Sequence, residues 1–182
     1  MKTQLDTYRP KDYHPGSRIK RSLWYIVSLL FFRTGLPFPS ALKRFLLLLF
    51  GAKVGKKVVI KPGVHIKHPW YLSIGDYSWI GENVWIDNLK MVTIGAHCCL
   101  SQGCYLLCGN HDYSKSSFDL ITRPIHIEDG CWIGAFGIVA PGVACRSHSV
   151  LAAGSVAVGD IEEYTVYQGN PATFKRKRVI HD

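Results

Sequence analysis

The sequence predicts an all-β solenoid, a parallel β-helix of stacked three-sided coils entered through an N-terminal pair of short α-helices. Three observations carry this. From Val54 onward an aliphatic residue recurs at every sixth position. Glycine often follows it, and a small or β-branched residue holds the fifth place. Before residue 51 stand two apolar runs, each short of the roughly 20 residues a bilayer span needs. With 182 residues, 47% apolar and 19% charged, the chain can bury one core without disulfides and is not intrinsically disordered.

Residues 1–51 read as a polar tail carrying Pro10, Pro15 and Gly16, followed by two helices. Residues 23–32 are apolar on every side; Ser17 can cap that helix, and Thr34 with Gly35 can end it. Residues 36–39 break the chain, and residues 40–51 frame the second helix. Two readings of such greasy helices stand side by side. They pack on the domain or on a neighbouring subunit, or residues 18–50 make peripheral contact with an anionic membrane, with Arg18, Lys20, Arg21, Arg33, Lys43 and Arg44 flanking the apolar runs. The first apolar run starts only at Leu23 and no small-residue cleavage site follows, so the expected location is cytoplasmic, at the inner membrane face if the helices touch lipid. The six cysteines are then expected to be thiols.

Residues 52–182 form the repeat. Its first-place residues are Val54, Ile60, Ile66 and Leu72, then Ile74, Ile80 and Ile86, then Ile94, Leu100 and Leu106, and after a break Ile127, Ile133, Val139, Cys145 and Leu151. Six residues suit a short strand and a tight corner, so three units wrap one coil and successive coils stack about 4.8 Å apart with their aliphatics superposed. Glycines and small residues are expected to permit the corners. Cys98, Cys104 and Cys131 occupy fifth places as small apolar side chains. The period fails across an inserted polar loop, residues 107–126, and the chain ends in a basic tail carrying Lys175, Arg176, Lys177 and Arg178. A long loop in a compact domain is more often functional than idle, and His111 is its proton-accepting residue.

With these features the chain resembles the hexapeptide-repeat acyltransferases over residues 54 to about 174. Within them it is similar to the colanic-acid-type exopolysaccharide O-acetyltransferases in its 43–55 entry, its 79–88 stretch, the loop Gly109-Asn110-His111-Asp112-Tyr113 and the ending Gly169-Asn170-Pro171-Ala172. The resemblance implies a left-handed β-helix, which the period alone does not, and a homotrimer. It implies acetyl-CoA as co-substrate, no metal, and as acceptor a sugar hydroxyl, free or in a lipid-linked oligosaccharide of a bacterial surface polysaccharide. His111 would be the general base of a direct transfer. The oxyanion and donor would meet the turn Trp132-Ile133-Gly134-Ala135, with Ala153 beside it and Lys175 and Arg176 for the phosphates.

This sequence departs from the family at several places. Ala135 stands where galactoside and maltose acetyltransferases carry Ser, so only its backbone N–H carries over. Val158 and Gly159 replace a frequent Thr-Lys pair, Thr173 replaces a basic residue, and Gly81 falls where the galactoside enzymes bind sugar through Asn. The acceptor side therefore rests on Trp85 for stacking and on Asp87 and Asn88 for hydrogen bonds. His65, His68, His97, His126 and His148 fall at corners and read as surface residues.

Other classes make other demands. A non-catalytic scaffold or binding subunit would fit a decayed site, and an acyl carrier protein could replace coenzyme A as donor. Solenoid carbonic anhydrases hold zinc on three histidines, and their Gly-His pattern with a second His after the loop is absent. A net charge of +9 favours an anionic partner, but no nucleic-acid motif accompanies it, so no nucleic-acid partner is expected.

Overall fold

A computed structural model describes residues 2–8 and 13–181, so Pro10 of the tail lies outside the described residues. The repeat folds as a parallel β-solenoid with three faces. On the first face stack Lys53–Val54, Leu72–Ile74, Val92–Ile94, Ile125–Ile127 and Ala144–Cys145. The second carries Val59–Ile60, Trp79–Ile80, Cys99–Leu100, Trp132–Ile133 and Val150–Leu151, and then two longer terminal strands. The third carries His65–Ile66, Trp85–Asp87, Tyr105–Leu107, Ile138–Val139 and Val156–Ala157.

The register explains the broken phase of the sequence. Val59 pairs with Trp79 and Trp79 with Cys99, a coil of 20 residues, whereas Trp132 pairs with Val150, a coil of 18. Three hexads make the shorter coil; the longer ones carry extra residues at the corner from the third face to the first. That same corner holds the insertion, between Tyr105–Leu107 and Ile125–Ile127. Every first-place aliphatic is buried, Val54 being the most exposed at 6%. Fifth-place Cys98, Cys104 and Cys131 are buried too, and burial pushes the Cys98 and Cys104 thiols up to about 12.

Glycine does the corner job expected of it at the fourth place and a second job at the second place. The repeating left-handed backbone position is the fourth place, and non-glycine residues such as Tyr77 (φ +60°) and His97 (φ +56°) fill it as well as Gly103 (φ +66°). The second-place glycines are instead sites of close approach between coils. A Cβ on Gly75 would lie 2.5 Å from the Ala96 amide nitrogen, and one on Gly134 2.5 Å from that of Ala153.

Helix α1 (Arg18–Phe31) begins where Ser17 accepts a hydrogen bond from the Lys20 amide at 3.2 Å, ahead of its apolar run. It is followed by α2 (Ser40–Leu49), and together they cap the open edge of the first coil. Lys43 Nζ donates to the Ile60 and Lys61 carbonyls at 3.3 and 2.9 Å, Arg44 Nε to Gly55 O at 2.7 Å, and Trp24 Nε1 to Ile66 O at 2.8 Å. Ser40 Oγ accepts from the Ile60 amide at 3.0 Å. Lys43 is therefore wholly buried, not a flanking surface cation, because its ammonium satisfies carbonyls that a preceding strand would otherwise have bonded. Burial lowers its pKa. The outer side of the helices remains apolar and exposed, with Ile19, Leu23, Ile26 and Leu30 on α1 and Phe45 and Leu49 on α2. Among the described residues no helix is long and apolar enough to cross a membrane.

The opposite end is not a tail. Thr165–Gly169 continues the second face in parallel, and Ala172–Lys177 returns antiparallel to it across the cis Asn170–Pro171 peptide. Lys175, Arg176 and Lys177 are exposed on this last strand. Arg178 Nη1 donates to the Gly130 and His148 carbonyls at 2.9 Å each, which commits it to the fold and not to phosphates.

The close approach between coils makes a direct prediction. Gly75→Ala should lower stability by about 1–3 kcal/mol, because backbone must move to admit the methyl. Urea denaturation of the two proteins would register this as a lower midpoint.

Candidate active site

The insertion is an ordered β-hairpin. Gly109–Asp112 pairs antiparallel with Asp119–Thr122, setting His111 opposite Leu120. Its tip is tied by Ser114 Oγ donating to Asp112 at 2.5 Å and by Lys115, 3.6 Å from Asp112 and 3.2 Å from Asp119. The Ser114 hydroxyl is the main reason the Asp112 carboxyl sits below its ordinary range.

Within the hairpin the His111 ring is fixed by Phe118. Nδ1 lies 2.8 Å from the Phe118 carbonyl, and the two rings stack at 4.4 Å with 9° between their planes. A carbonyl only accepts, so Nδ1 carries the proton and the lone pair is on Nε2. Phe118 adopts φ +50°, an uncommon conformation for an aromatic residue that gives His111 both a carbonyl and a ring face. Nothing in the sequence marks Phe118 for this role.

His111 lines a cleft of about 360 Å³ with Tyr8, Tyr13, Lys67, Asp87 and Leu107 among its walls. The leader thus helps build the site: the Gln4 amide donates to Ser116 O at 2.8 Å, and the Tyr8 ring lies 6.2 Å from that of His111. Asp87, 8% exposed, ion-pairs with Lys67 at 2.8 Å and stands across the cleft from the hairpin. Trp85, 45% exposed, stacks on His65 at 4.7 Å and approaches Tyr105 at 5.5 Å in the adjoining groove.

Asn88 does not join them. It is fully buried, its Oδ1 accepts from the Lys67 and His68 amides at 3.1 and 2.9 Å, and its Nδ2 donates to the His68 and Tyr71 carbonyls. All its polar capacity holds the corner, so the expected acceptor contact is corrected to a structural one. His68, expected at the surface, is likewise buried at 4% exposure, bonded through Nε2 to the Tyr13 hydroxyl at 2.7 Å. Burial, then the charges of Lys67 and Arg21, lowers its pKa to about 4.

Of the predicted donor residues, Gly134, Ala135 and Ala153 gather elsewhere, at the corner between the second and third faces, whereas Lys175 and Arg176 lie apart on the last strand. Gly134 is buried and its N–H is spent on Leu151 O at 2.8 Å, whereas the Ala135 and Ala153 amides have no acceptor among the described residues. These two residues stack one coil apart, since Trp132 pairs with Val150. Trp132 is 48% exposed on the second face and donates from Nε1 to Ser101 Oγ at 2.9 Å. The chain therefore holds His111 with Asp87 at one corner of the prism and Ala135 with Ala153 at another. Among the described residues no group of three or more His, Cys, Asp or Glu side chains is arranged to hold a metal ion.

Comparison with known proteins decides the family. Residues 124–157 match the hexapeptide repeat of succinyl-transferase. Over 173 residues the chain is 42% identical to WcaF of Escherichia coli, a protein named as a colanic acid biosynthesis acetyltransferase, covering 93% of each. The chain belongs to the hexapeptide-repeat acetyltransferases. Like other members it shares sequence with the galactoside O-acetyltransferase of Escherichia coli, at 28% identity over 134 residues, 72% of this chain and 64% of that one. A hexapeptide-repeat acetyltransferase of Vibrio cholerae, solved with acetyl coenzyme A, superposes with a TM-score of 0.81 at 25% identity, covering 96% of this chain and 97% of that one.

Two predictions separate structure from chemistry here. Asn88→Ala should cost about 2–4 kcal/mol of stability, since it strands several buried backbone groups, yet the folded fraction should transfer acyl groups normally. Turnover per folded molecule checks this. His68 binds its proton less readily when folded than when unfolded, so stability should fall as pH drops from 6.5 towards 4, by about 3 kcal/mol. A pH series of denaturation curves should show that slope in the native protein and lack it in His68→Gln.

Proposed function

We propose that this protein is an acetyl-CoA-dependent O-acetyltransferase acting on a sugar hydroxyl in the synthesis of a bacterial surface polysaccharide. The observation that carries the mechanism is the His111 imidazole, with Nδ1–H anchored on a backbone carbonyl and its ring on the wall of an aromatic-lined cleft that also holds the Lys67–Asp87 ion pair. Nε2 takes the proton of the acceptor hydroxyl as its oxygen attacks the thioester carbonyl carbon. The carbonyl oxygen gains negative charge, for which the free Ala135 N–H is the matching donor. Collapse of this tetrahedral intermediate forms the ester and expels the coenzyme A thiolate, which recovers the proton from His111. No thiol of the protein is needed, in keeping with the burial of every cysteine but the half-buried Cys99. WcaF, by its name, acts in colanic acid biosynthesis, and that relationship supports the polysaccharide assignment.

The separation of His111 from Ala135 and Ala153 supports a homotrimer in which the hairpin of one protomer meets the donor corner of the next. The exposed apolar stripe on α1 and α2, beside Arg18 and Arg33, supports peripheral binding to an anionic membrane face.

His111→Ala should reduce transfer by about 10²–10⁴-fold while coenzyme A still binds in calorimetry; full activity would overturn the mechanism. Mixing His111→Ala with Ala153→Trp subunits should restore about one site in four if the site is shared between protomers and subunits mix at random. No recovery would place the whole site in one chain. For the membrane reading, Leu23→Glu with Leu30→Glu should release the protein from phosphatidylglycerol vesicles without stripping the cap, and unchanged co-sedimentation would refute it.

A further inference from the structure

Three clefts run in series across the N-terminal end of the molecule. The outer one lies on α1 between Arg18, Ser22, Tyr25 and Ile26, beside the exposed apolar stripe. It shares Arg21 and Tyr25 with a groove of about 270 Å³ between α1 and the third face. That groove shares Lys67 and Asp87 with the His111 cleft. Along one path the surface thus changes from apolar to basic to catalytic.

The middle groove is built for an anion. Arg21, Arg33 and Lys67 line it against a single carboxylate, Asp87, which Lys67 already pairs. Arg21 and Arg33 have no ion pair among the described residues. Two nitrogens on its wall, Arg21 Nε and His68 Nδ1, are buried without a partner. Arg21 Nε always carries a proton, so it is a stranded donor, and a buried donor left unpaired is costly. Phosphoryl oxygens accept from guanidinium and ammonium groups alike, and arginine forks match their geometry. On the wall of the same groove Trp85, held between His65 and Tyr105, presents its exposed ring edge as an apolar contact for a pyranose.

We propose that this groove binds the diphosphate of a prenyl-linked acceptor, with the chain along the apolar stripe of α1 and the attached sugar reaching His111. Arg21 and Arg33 are its diphosphate-binding residues. The proposal rests on the acetyltransferase reading above and names the acceptor class for it. The coenzyme A diphosphate is the competing occupant, and the test separates the two.

The full-length protein is titrated calorimetrically with farnesyl diphosphate, inorganic pyrophosphate and UDP, each with and without saturating coenzyme A. Farnesyl diphosphate is expected to bind once per chain, more tightly than the other two, and undisturbed by coenzyme A. Arg21→Gln and the more exposed Arg33→Gln should each weaken it about tenfold, with coenzyme A affinity and melting temperature unchanged. Equal affinity in both variants, displacement by coenzyme A, or UDP binding as tightly as farnesyl diphosphate would each overturn the proposal. Loss of coenzyme A binding by the unmodified protein, with farnesyl diphosphate still bound, would count against the acetyltransferase reading and leave the groove's assignment supported.

Discussion

The stacking of one coil directly on the next is the constraint from which the rest of the molecule follows. At a coil separation of about 4.8 Å, a Cβ on Gly75 or Gly134 would meet the backbone of the next coil, which is why these two are glycines. It also superposes identical places of the hexad, so an aliphatic at one level must meet an aliphatic above and below. Inward positions are consequently invariant in character, while outward positions such as Trp79, Trp85 and Trp132 are free to vary. Chain can be added only where it leaves the stack, and the corner between the third and first faces absorbs both the extra residues of the early coils and the hairpin that carries His111.

The repeat was legible because its period is imposed by that stacking and by nothing local. Each first-place residue from Val54 to Leu151 could be picked out by phase, and each is buried. His111 was legible as the proton-accepting residue of an interrupted period, helped by the motif around it. What was hidden depends on backbone conformation or on long-range contacts. The carbonyl of Phe118 has no sequence signature, Asn88 looks like any polar corner residue until its amide is seen spanning two turns, and Lys43 looks like a surface cation. Tyr8 and Tyr13 belong to a stretch that composition marks only as polar, yet both line the cleft.

The chemistry is divided between rigid and adaptable parts. The proposed donor corner is made of backbone amides whose position is dictated by the coil, so it needs no particular side chain, and the alanine at 135 is compatible with it. The proposed general base, His111, is borne by an insertion outside the stack, and a carbonyl hydrogen bond with a stacked ring keeps its tautomer and its orientation. In the proposed mechanism the acceptor meets Trp85 and Asp87 of the repeat together with residues of the cap and N-terminal segment, which lie outside the repeat.

The way the first coil ends has a further consequence. A parallel ladder offers the same row of carbonyls and amides at each level, and a bare terminal rung would recruit the next chain as readily as its own neighbour. Lys43, Arg44, Trp24 and Ser40 occupy that rung with side chains that propagate nothing. At the far end the antiparallel return of Ala172–Lys177, studded with cations, presents an edge of the wrong direction and charge for another coil. The two ends act as stop signals for polymerisation, and they make a chain with the register of a fibril into a particle of fixed length.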